Sequence, residues 1–124
     1  MSQTPMKILI CEDNTLAMKA LSVILGKNGY ATAIAADGNE AMDMLRNNDY
    51  DLLLVDIHLP YHSGLELVEF VRTDLKKDTP VIIVSAFSDP QMIKRAGDLG
   101  INDYIVKPID ANILVNKVRL LLNK

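Results

Sequence analysis

The sequence predicts an α/β protein in which five strands of a parallel sheet alternate with five helices. Five short apolar runs are separated by segments whose apolar residues recur at helical spacing. Four of the runs are nearly continuous in isoleucine, leucine and valine, which is typical of strands covered on both faces. Alternating strands and helices with short connections favour a parallel sheet wrapped by helices, so the predicted fold is (βα)5.

The apolar runs define the five predicted strands. In chain order they are Lys7 to Cys11, Tyr30 to Ala35, Leu52 to Val55, Val81 to Val84 and Tyr104 to Val106. None approaches the length of about 20 apolar residues that a membrane-spanning helix needs, and no signal-peptide pattern precedes them. We therefore expect a cytoplasmic protein that does not associate with membranes.

The segments between the strands carry apolar stripes that predict amphipathic helices. The stripes are Ala17, Leu21, Ile24 and Leu25; Ala41, Met44 and Leu45; Leu67, Val68 and Val71; and Leu114, Val118 and Leu121. Asp37 followed by Glu40 has the form of a capping box at a helix start. Asp89 before Pro90 predicts a capping residue ahead of a proline in the first helical turn.

Size and charge indicate one folded domain and exclude some functions. The chain has 124 residues, of which 49% are apolar and 23% charged, as expected for one globular core. Residues 1–5 are predicted to form a tail, so the domain spans residues 6–124. The net charge of −3 provides no basic field for nucleic acid. The single cysteine, Cys11, is interpreted as a buried core thiol, and Gly29 and Gly100 as helix ends.

Polar residues interrupt the pattern at one recurring place, directly after a strand. Glu12 and Asp13 follow the first strand, Asp56 the third, Ser85 the fourth and Lys107 the fifth. Because the carboxyl ends of parallel strands lie at one edge of the sheet, these residues should converge on a single cleft, where open α/β sheets bind ligands. One of them alone would be explained as a turn former or a helix cap, but together they indicate a functional site.

The predicted cleft contains the groups that phosphoryl transfer requires. Carboxylates about 4 Å apart repel one another by roughly 4 kcal/mol per pair at an effective dielectric constant of about 20, so positive charge must lie among them. Lys107 supplies one charge, and oxygen ligands of this kind favour a hard cation such as Mg²⁺ over zinc. A cation, a lysine, a hydroxyl and a nucleophilic carboxylate are the parts of a phosphoryl-transfer site.

In this register the residues resemble the receiver domains of two-component response regulators. The resemblance is carried by Glu12-Asp13, Asp56-Ile57-His58-Leu59-Pro60 with Gly64, Ser85-Ala86 and Lys107-Pro108, and it covers nearly the whole chain. It implies a flavodoxin-like, doubly wound sheet with strand order 2-1-3-4-5. It also implies a signalling switch that is not an enzyme for other substrates and that catalyses only its own phosphorylation and dephosphorylation.

The resemblance implies a role for each acidic residue of the cleft. Asp56 is expected to accept a phosphoryl group from the phosphohistidine of a histidine kinase or a histidine phosphotransfer protein. Mg²⁺ or Mn²⁺ is expected to bind Asp13, Asp56 and the main-chain carbonyl of His58. Glu12 is expected to hold a water molecule bound to the metal.

The resemblance also implies how the phosphoryl group is sensed. Lys107 is expected to pair with a phosphoryl oxygen, and the bond to Pro108 to be cis. Ser85 is expected to hydrogen-bond the phosphoryl group. Tyr104, three residues before Lys107, is expected to turn inward when Ser85 moves, although on position alone it reads as an ordinary half-buried tyrosine. The change in protein contacts would reach an output partner that the sequence does not identify.

Two positions depart from the best-studied members of this family and concern the lifetime of the phosphorylated state. His58 lies two residues after Asp56, and Phe87 two residues after Ser85, where small polar or acidic residues are often found. Phe87 cannot orient a hydrolytic water and its ring can shield the phosphoryl group, so slow loss of phosphate is expected. His58 and His62 are not interpreted as zinc ligands, because no cysteine or third histidine joins them.

Three other functions remain as alternatives. An aspartate-nucleophile phosphatase needs a second aspartate two residues after the nucleophile, whereas Asn14 and Thr15 follow Asp13. A flavin-binding module needs a phosphate loop after the first strand, and the acidic segment here would repel phosphate. A receiver that only docks a partner and is never phosphorylated is disfavoured, because every acid, lysine and hydroxyl position is filled. The chain is either a free-standing receiver or a fragment of a hybrid histidine kinase or a longer regulator.

Overall fold

The computed structural model of the chain contains the predicted five-stranded parallel sheet. It describes residues 4–86 and 90–122. The strands are β1 (Lys7–Cys11), β2 (Ala31–Ala35), β3 (Leu52–Asp56), β4 (Val81–Ser85) and β5 (Asp103–Val106). They lie in the order β2-β1-β3-β4-β5, and every pair is parallel. The expected doubly wound topology is therefore confirmed, with strand ends within one residue of the predicted ones.

Helices occupy the predicted segments between and after the strands. They are α1 (Thr15–Lys27), α2 (Gly38–Asn47), α3 (Gly64–Glu69), α4 (Pro90–Leu99) and α5 (Ala111–Leu122). The chain leaves α3 through a π-helical turn, Phe70–Asp74, which the sequence did not predict. Within the described residues, no helix is long and apolar enough to cross a membrane.

The signals for helix starts are only partly those that were predicted. Asp37 caps α2, since its carboxylate accepts a hydrogen bond from the Glu40 N–H at 2.8 Å. The Glu40 carboxylate accepts from the Ala36 N–H at 3.3 Å, so the capping box expected between Asp37 and Glu40 is incomplete. A complete capping box instead opens α3, between Ser63 and Glu66.

Other predicted helix boundaries agree with the structure. Gly29 and Gly100 follow α1 and α4 with φ angles of +90° and +96°, which confirms them as helix ends. Pro90 is the first residue of α4. Asp89, its predicted cap, lies outside the described residues.

Apolar side chains cover both faces of the sheet, because successive strand residues point to opposite sides. On one face, Leu9, Leu53 and Ile83 pack with residues of α2, α3 and α4. On the other face, Ile10 and Leu54 pack with residues of α1 and α5. Each fully buried leucine or isoleucine stabilises the fold by about 1.5–3 kcal/mol. The two layers therefore hold the strand ends rigidly, and polar groups are accommodated at the edge of the sheet.

Two further interpretations of the sequence are confirmed by the packing. Cys11 is buried within the core, and burial raises the pKa of its thiol to about 12, so the thiol is protonated and unreactive at neutral pH. Met44, part of the apolar stripe predicted for α2, packs against the core cluster, and so does Met42.

Candidate functional site

The predicted site residues converge at the carboxyl edge of the sheet. β1 and β3 are neighbouring strands, so the residues that end them lie side by side. One carboxylate oxygen each from Glu12, Asp13 and Asp56 lies within 4.8 Å of the other two. Ser85 ends β4, and Lys107 follows β5 directly. Residues that are widely separated in sequence thus meet in one cleft.

Lys107 joins two of the three carboxylates. Its ammonium Nζ donates hydrogen bonds to Glu12 Oε1 at 2.9 Å and to Asp56 Oδ2 at 2.7 Å. Glu12 is 2% exposed and Asp56 is 7% exposed. Buried carboxylates destabilise a fold unless they are paired and hydrogen-bonded. Lys107 therefore offsets the repulsion that these acidic side chains impose on each other.

Main-chain amides orient the remaining carboxylate oxygens. The His58 N–H donates to Asp56 Oδ1 at 2.8 Å. The Asn14 N–H donates to Glu12 Oε2 at 3.1 Å. Asp56 consequently has an amide on one oxygen and an ammonium on the other, which fixes the orientation of its carboxylate.

Burial and hydrogen bonding set the protonation of the site. Burial raises the pKa of the Glu12 carboxyl group, and hydrogen bonds from Lys107 and the Asn14 N–H offset part of that rise. Burial lowers the pKa of the Lys107 ammonium, but hydrogen bonds to Asp56 and Glu12 outweigh it, so this pKa lies above its usual value. Lys107 therefore carries its positive charge at neutral pH.

The segment that follows β3 is held against the site by Gly64. Its N–H donates to the Ile57 carbonyl at 3.0 Å. A Cβ atom on this residue would lie 2.7 Å from the Asp56 carbonyl oxygen and 2.8 Å from Ile57 Cα, which is too close for any side chain. Glycine is therefore required for the helix α3 to begin so close to Asp56.

The residues expected to sense the phosphoryl group lie on neighbouring strands. Ser85 is buried, Tyr104 is half-buried, and Ser85 lies opposite Val106 while Tyr104 lies opposite Ile83. Because residues two apart on a strand share a face, Ser85 and Tyr104 lie on the same face of the sheet. The Lys107-Pro108 peptide bond is cis, as the family resemblance implied.

The remaining predicted residues lie apart from this cluster or outside the described part of the chain. The His58 side chain is exposed, while its main chain contacts Asp56. His62 Nδ1 lies 3.1 Å from Glu66 Oε2. Phe87 lies outside the described residues.

Asn14 is a site residue that sequence reasoning missed. Its N–H binds Glu12, and its side-chain Oδ1 accepts from the Ala17 N–H at 2.9 Å, which caps α1. The signal was present, because asparagine ahead of an apolar stripe is a preferred helix cap. One residue therefore both starts α1 and orients an acidic side chain of the cleft.

Comparison with known proteins agrees with this fold. The family model for the response regulator receiver domain matches residues 8–119. The chain is 34% identical to the chemotaxis protein CheY of Pseudomonas aeruginosa over 96% of this chain and 98% of that protein. It is 36% identical to the transcriptional regulatory protein DltR of Streptococcus agalactiae over 93% of this chain and 51% of that protein.

A solved structure also resembles the chain over nearly its whole length. The crystal structure of a CheY-like receiver domain protein from Methanospirillum hungatei superposes with a TM-score of 0.91 at 29% identity, over 97% of this chain and 95% of that one. The chain belongs to the response regulator receiver domain family. It spans about half the length of the transcriptional regulator that it matches, at 51%.

Replacing Lys107 with methionine should lower the free energy of unfolding by about 2 kcal/mol at pH 7 in the absence of divalent metal, because two buried carboxylates lose their shared cation. The loss should shrink as the pH falls towards 5. The pKa of Glu12 is already raised by burial and should rise further without Lys107. With a raised carboxyl pKa, the destabilisation grows as the pH rises from the unfolded-state pKa to the folded-state pKa, is constant above that and vanishes below the unfolded-state pKa.

Urea denaturation at pH 7 and pH 5 measures this difference. The matched control is Lys19→Met on the exposed side of α1, which should change stability by less than about 0.5 kcal/mol at either pH. Equal stability of the Lys107→Met and Lys19→Met variants at pH 7 would show that Lys107 does not offset the acidic repulsion.

Proposed function

We propose that this receiver domain accepts a phosphoryl group on Asp56 from the phosphohistidine of a histidine kinase or a histidine phosphotransfer protein. The observation that carries the proposal is the buried Asp56 carboxylate, bonded to Lys107 on one oxygen and to the His58 amide on the other, beside Glu12 and Asp13. A domain that only docks partners has no need of a buried, oriented carboxylate among others of the same charge.

The acidic cluster fits a divalent cation. Each of its three carboxylates offers an oxygen to a common centre, and oxygen-only ligands suit hard cations such as Mg²⁺ and Mn²⁺. In the proposal Asp13, Asp56 and the main-chain carbonyl of His58 hold the cation, and Glu12 holds one of its waters. When bound, the cation supplies positive charge that neutralises the acceptor and the incoming phosphoryl oxygens.

The proposed step is an in-line transfer between two side chains. An Asp56 carboxylate oxygen attacks the phosphorus of the partner's phosphohistidine. A P–O bond forms, the P–N bond breaks, and the electron pair of that bond leaves on the imidazole nitrogen. The chain's own contribution is the positioning of Asp56 and the placement of positive charge, which are the main sources of catalysis in phosphoryl transfer.

Lys107 and Ser85 are proposed to hold the transferred group. Lys107 is bonded to Asp56 and Glu12, and its flexible, partly exposed side chain can follow the negative charge to a phosphoryl oxygen. The Ser85 hydroxyl would donate to another phosphoryl oxygen from the end of β4. The domain would then act only on its own phosphorylation state.

The competing phosphatase function is not favoured by the site. It would need an acid two residues after Asp13, where Thr15 begins α1, and Asn14 between them is engaged as a helix cap.

We further propose that residues 6–124 form the receiver, acting in the cytoplasm on an output partner through protein contacts. It would act alone or as part of a hybrid kinase or a longer regulator.

Phosphorylation is proposed to act on α4 and β5. Among the ten described residues of α4, only Ala96 is buried, so this helix is held to the sheet by few apolar contacts. Its C-terminal end is tied down, because the Arg72 guanidinium donates to the Gly100 carbonyl at 2.8 Å. Movement of Ser85 and Tyr104 on neighbouring strands would therefore displace the N-terminal part of α4 most easily.

The lifetime of the phosphorylated state is proposed to depend on His58 and Phe87. The exposed His58 side chain can reach water near the site, whereas Phe87 would shield the phosphoryl group. Slow loss of phosphate remains the expected result.

Incubation with Mg²⁺ and acetyl phosphate should add one phosphoryl group to the parent protein and none to Asp56→Asn, because the amide oxygen is a poor nucleophile. Intact-protein mass spectrometry measures the gain. The control is Asp74→Asn, an exposed residue at the end of the π-helical turn, which should be labelled like the parent. Labelling of Asp56→Asn at the parent's rate would overturn the assignment of the acceptor.

Beryllofluoride, a mimic of the phosphoryl group, should shift the NMR signals of Tyr104 and of residues 91–98. A ligand that binds one conformation more tightly than the other shifts the equilibrium towards the conformation it prefers. Ser85→Ala should weaken these shifts while the mimic still binds. The control is the opposite face of the sheet, where the signals of Leu25 in α1 should change little. Unmoved Tyr104 and α4 signals with the mimic bound would rule out the switch.

A further inference from the structure

The acceptor loop, residues 57–63 between β3 and α3, touches the first residue of α2. The Gly38 N–H donates to the Pro60 carbonyl at 3.0 Å, and the His62 N–H donates to the same oxygen at 2.9 Å. One carbonyl of the loop thus accepts hydrogen bonds from α2 and from the loop itself. The two elements are joined through main-chain atoms.

The contact at Gly38 leaves no room for a side chain. A Cβ atom there would lie 2.5 Å from His62 Cβ, 2.7 Å from His62 N and 2.7 Å from His62 O. Protein atoms do not pack this closely without displacement. Two of the three atoms belong to the main chain, so a rotation of the His62 side chain cannot relieve the overlap. The loop itself would have to move.

The loop is restrained at other points as well. Tyr61 has a φ angle of +72°, a left-handed conformation that costs a non-glycine residue about 1–2 kcal/mol. The His62 ring is bonded to Glu66 on α3. A strained conformation persists only where neighbouring contacts enforce it, and Gly38 provides one of those contacts.

The other end of the acceptor loop is bonded directly to the phosphoryl acceptor. The His58 N–H donates to Asp56 Oδ1, and Gly64 closes the loop onto the Ile57 carbonyl. A displacement at Pro60 to His62 is therefore transmitted over a few residues to the His58 main chain. The hydrogen bond that the Gly38 N–H donates goes to Pro60 and not to a carboxylate of the site.

We propose that Gly38 is a positioning residue for phosphoryl acceptance. By fitting under His62 and bonding Pro60, it sets the place of the His58 main chain and so the orientation of the Asp56 carboxylate. The consequence for cation binding and phosphorylation rests on the proposed function. The effect on the His58 amide is measured in the metal-free protein, so it does not depend on the proposed function.

The test compares Gly38→Ala with Gly26→Ala, a helical glycine in α1 whose added Cβ meets nothing within 4 Å. Alanine favours a helix over glycine at both positions, so the close contact is the difference between them. Gly38→Ala should shift the His58 amide signal in the metal-free protein and raise the Mn²⁺ dissociation constant about tenfold, as for residues that orient metal ligands. Labelling by acetyl phosphate should slow at low Mg²⁺. Gly26→Ala should match the parent in the His58 amide signal, the Mn²⁺ affinity and the labelling rate.

A folded Gly38→Ala protein with an unmoved His58 amide and parent-like Mn²⁺ affinity would overturn the proposal. If circular dichroism shows that Gly38→Ala does not fold, two variants of Asp37, the neighbouring cap residue, test the proposal instead. Asp37→Ala removes the α2 cap and Asp37→Ser keeps one, while both remove the same charge. Weaker Mn²⁺ binding by Asp37→Ala than by Asp37→Ser supports the proposal, and equal Mn²⁺ binding by the two variants overturns it. Failure of the proposed function would appear separately, as a parent protein that acetyl phosphate does not label.

Discussion

The hydrogen bonds from the Lys107 ammonium to Glu12 and Asp56 are the interaction on which the site depends. Carboxylates at this spacing oppose one another by roughly 4 kcal/mol per pair at an effective dielectric constant of about 20, and burial strengthens that opposition. The lysine follows β5, two strands away from the β3 aspartate. The order and register of the four strands from β1 to β5 are therefore needed to bring the positive charge to the negative ones.

The sheet meets this need because the central strands β1, β3 and β4 have apolar interiors that are covered on both faces. Charged groups cannot be accommodated within such layers, so they gather where the strands end. Close main-chain contacts then refine the positions. Gly64 lets α3 begin against Asp56, and Gly38 lets the acceptor loop lie on α2. The packing of the core and the geometry of the Asp56 carboxylate are thus consequences of the same arrangement.

Much of this could be predicted from the sequence, and the exceptions have physical causes. The uninterrupted runs around Ile10 and Leu54 predict buried parallel strands, and the polar residues after them predict the cleft. The strand order came from family resemblance, because periodicity does not encode it. The π-helical turn was missed because Leu67, Val68 and Val71 recur at ordinary helical spacing, which gives no sign of the wider winding. The contact between Gly38 and His62 depends on the path of an irregular loop, which local sequence patterns do not specify.

Paramagnetic broadening by Mn²⁺ tests most directly whether Glu12, Asp13 and Asp56 form a cation site. Substoichiometric Mn²⁺ should first broaden the amide signals of Asp13, Asp56 and His58 at the carboxyl edge of the sheet, and Asp13→Asn should abolish the effect. The signals of Lys7 and Asn102, at the opposite edge, should persist. Broadening that begins at the opposite edge, or that survives in Asp13→Asn, would contradict the account.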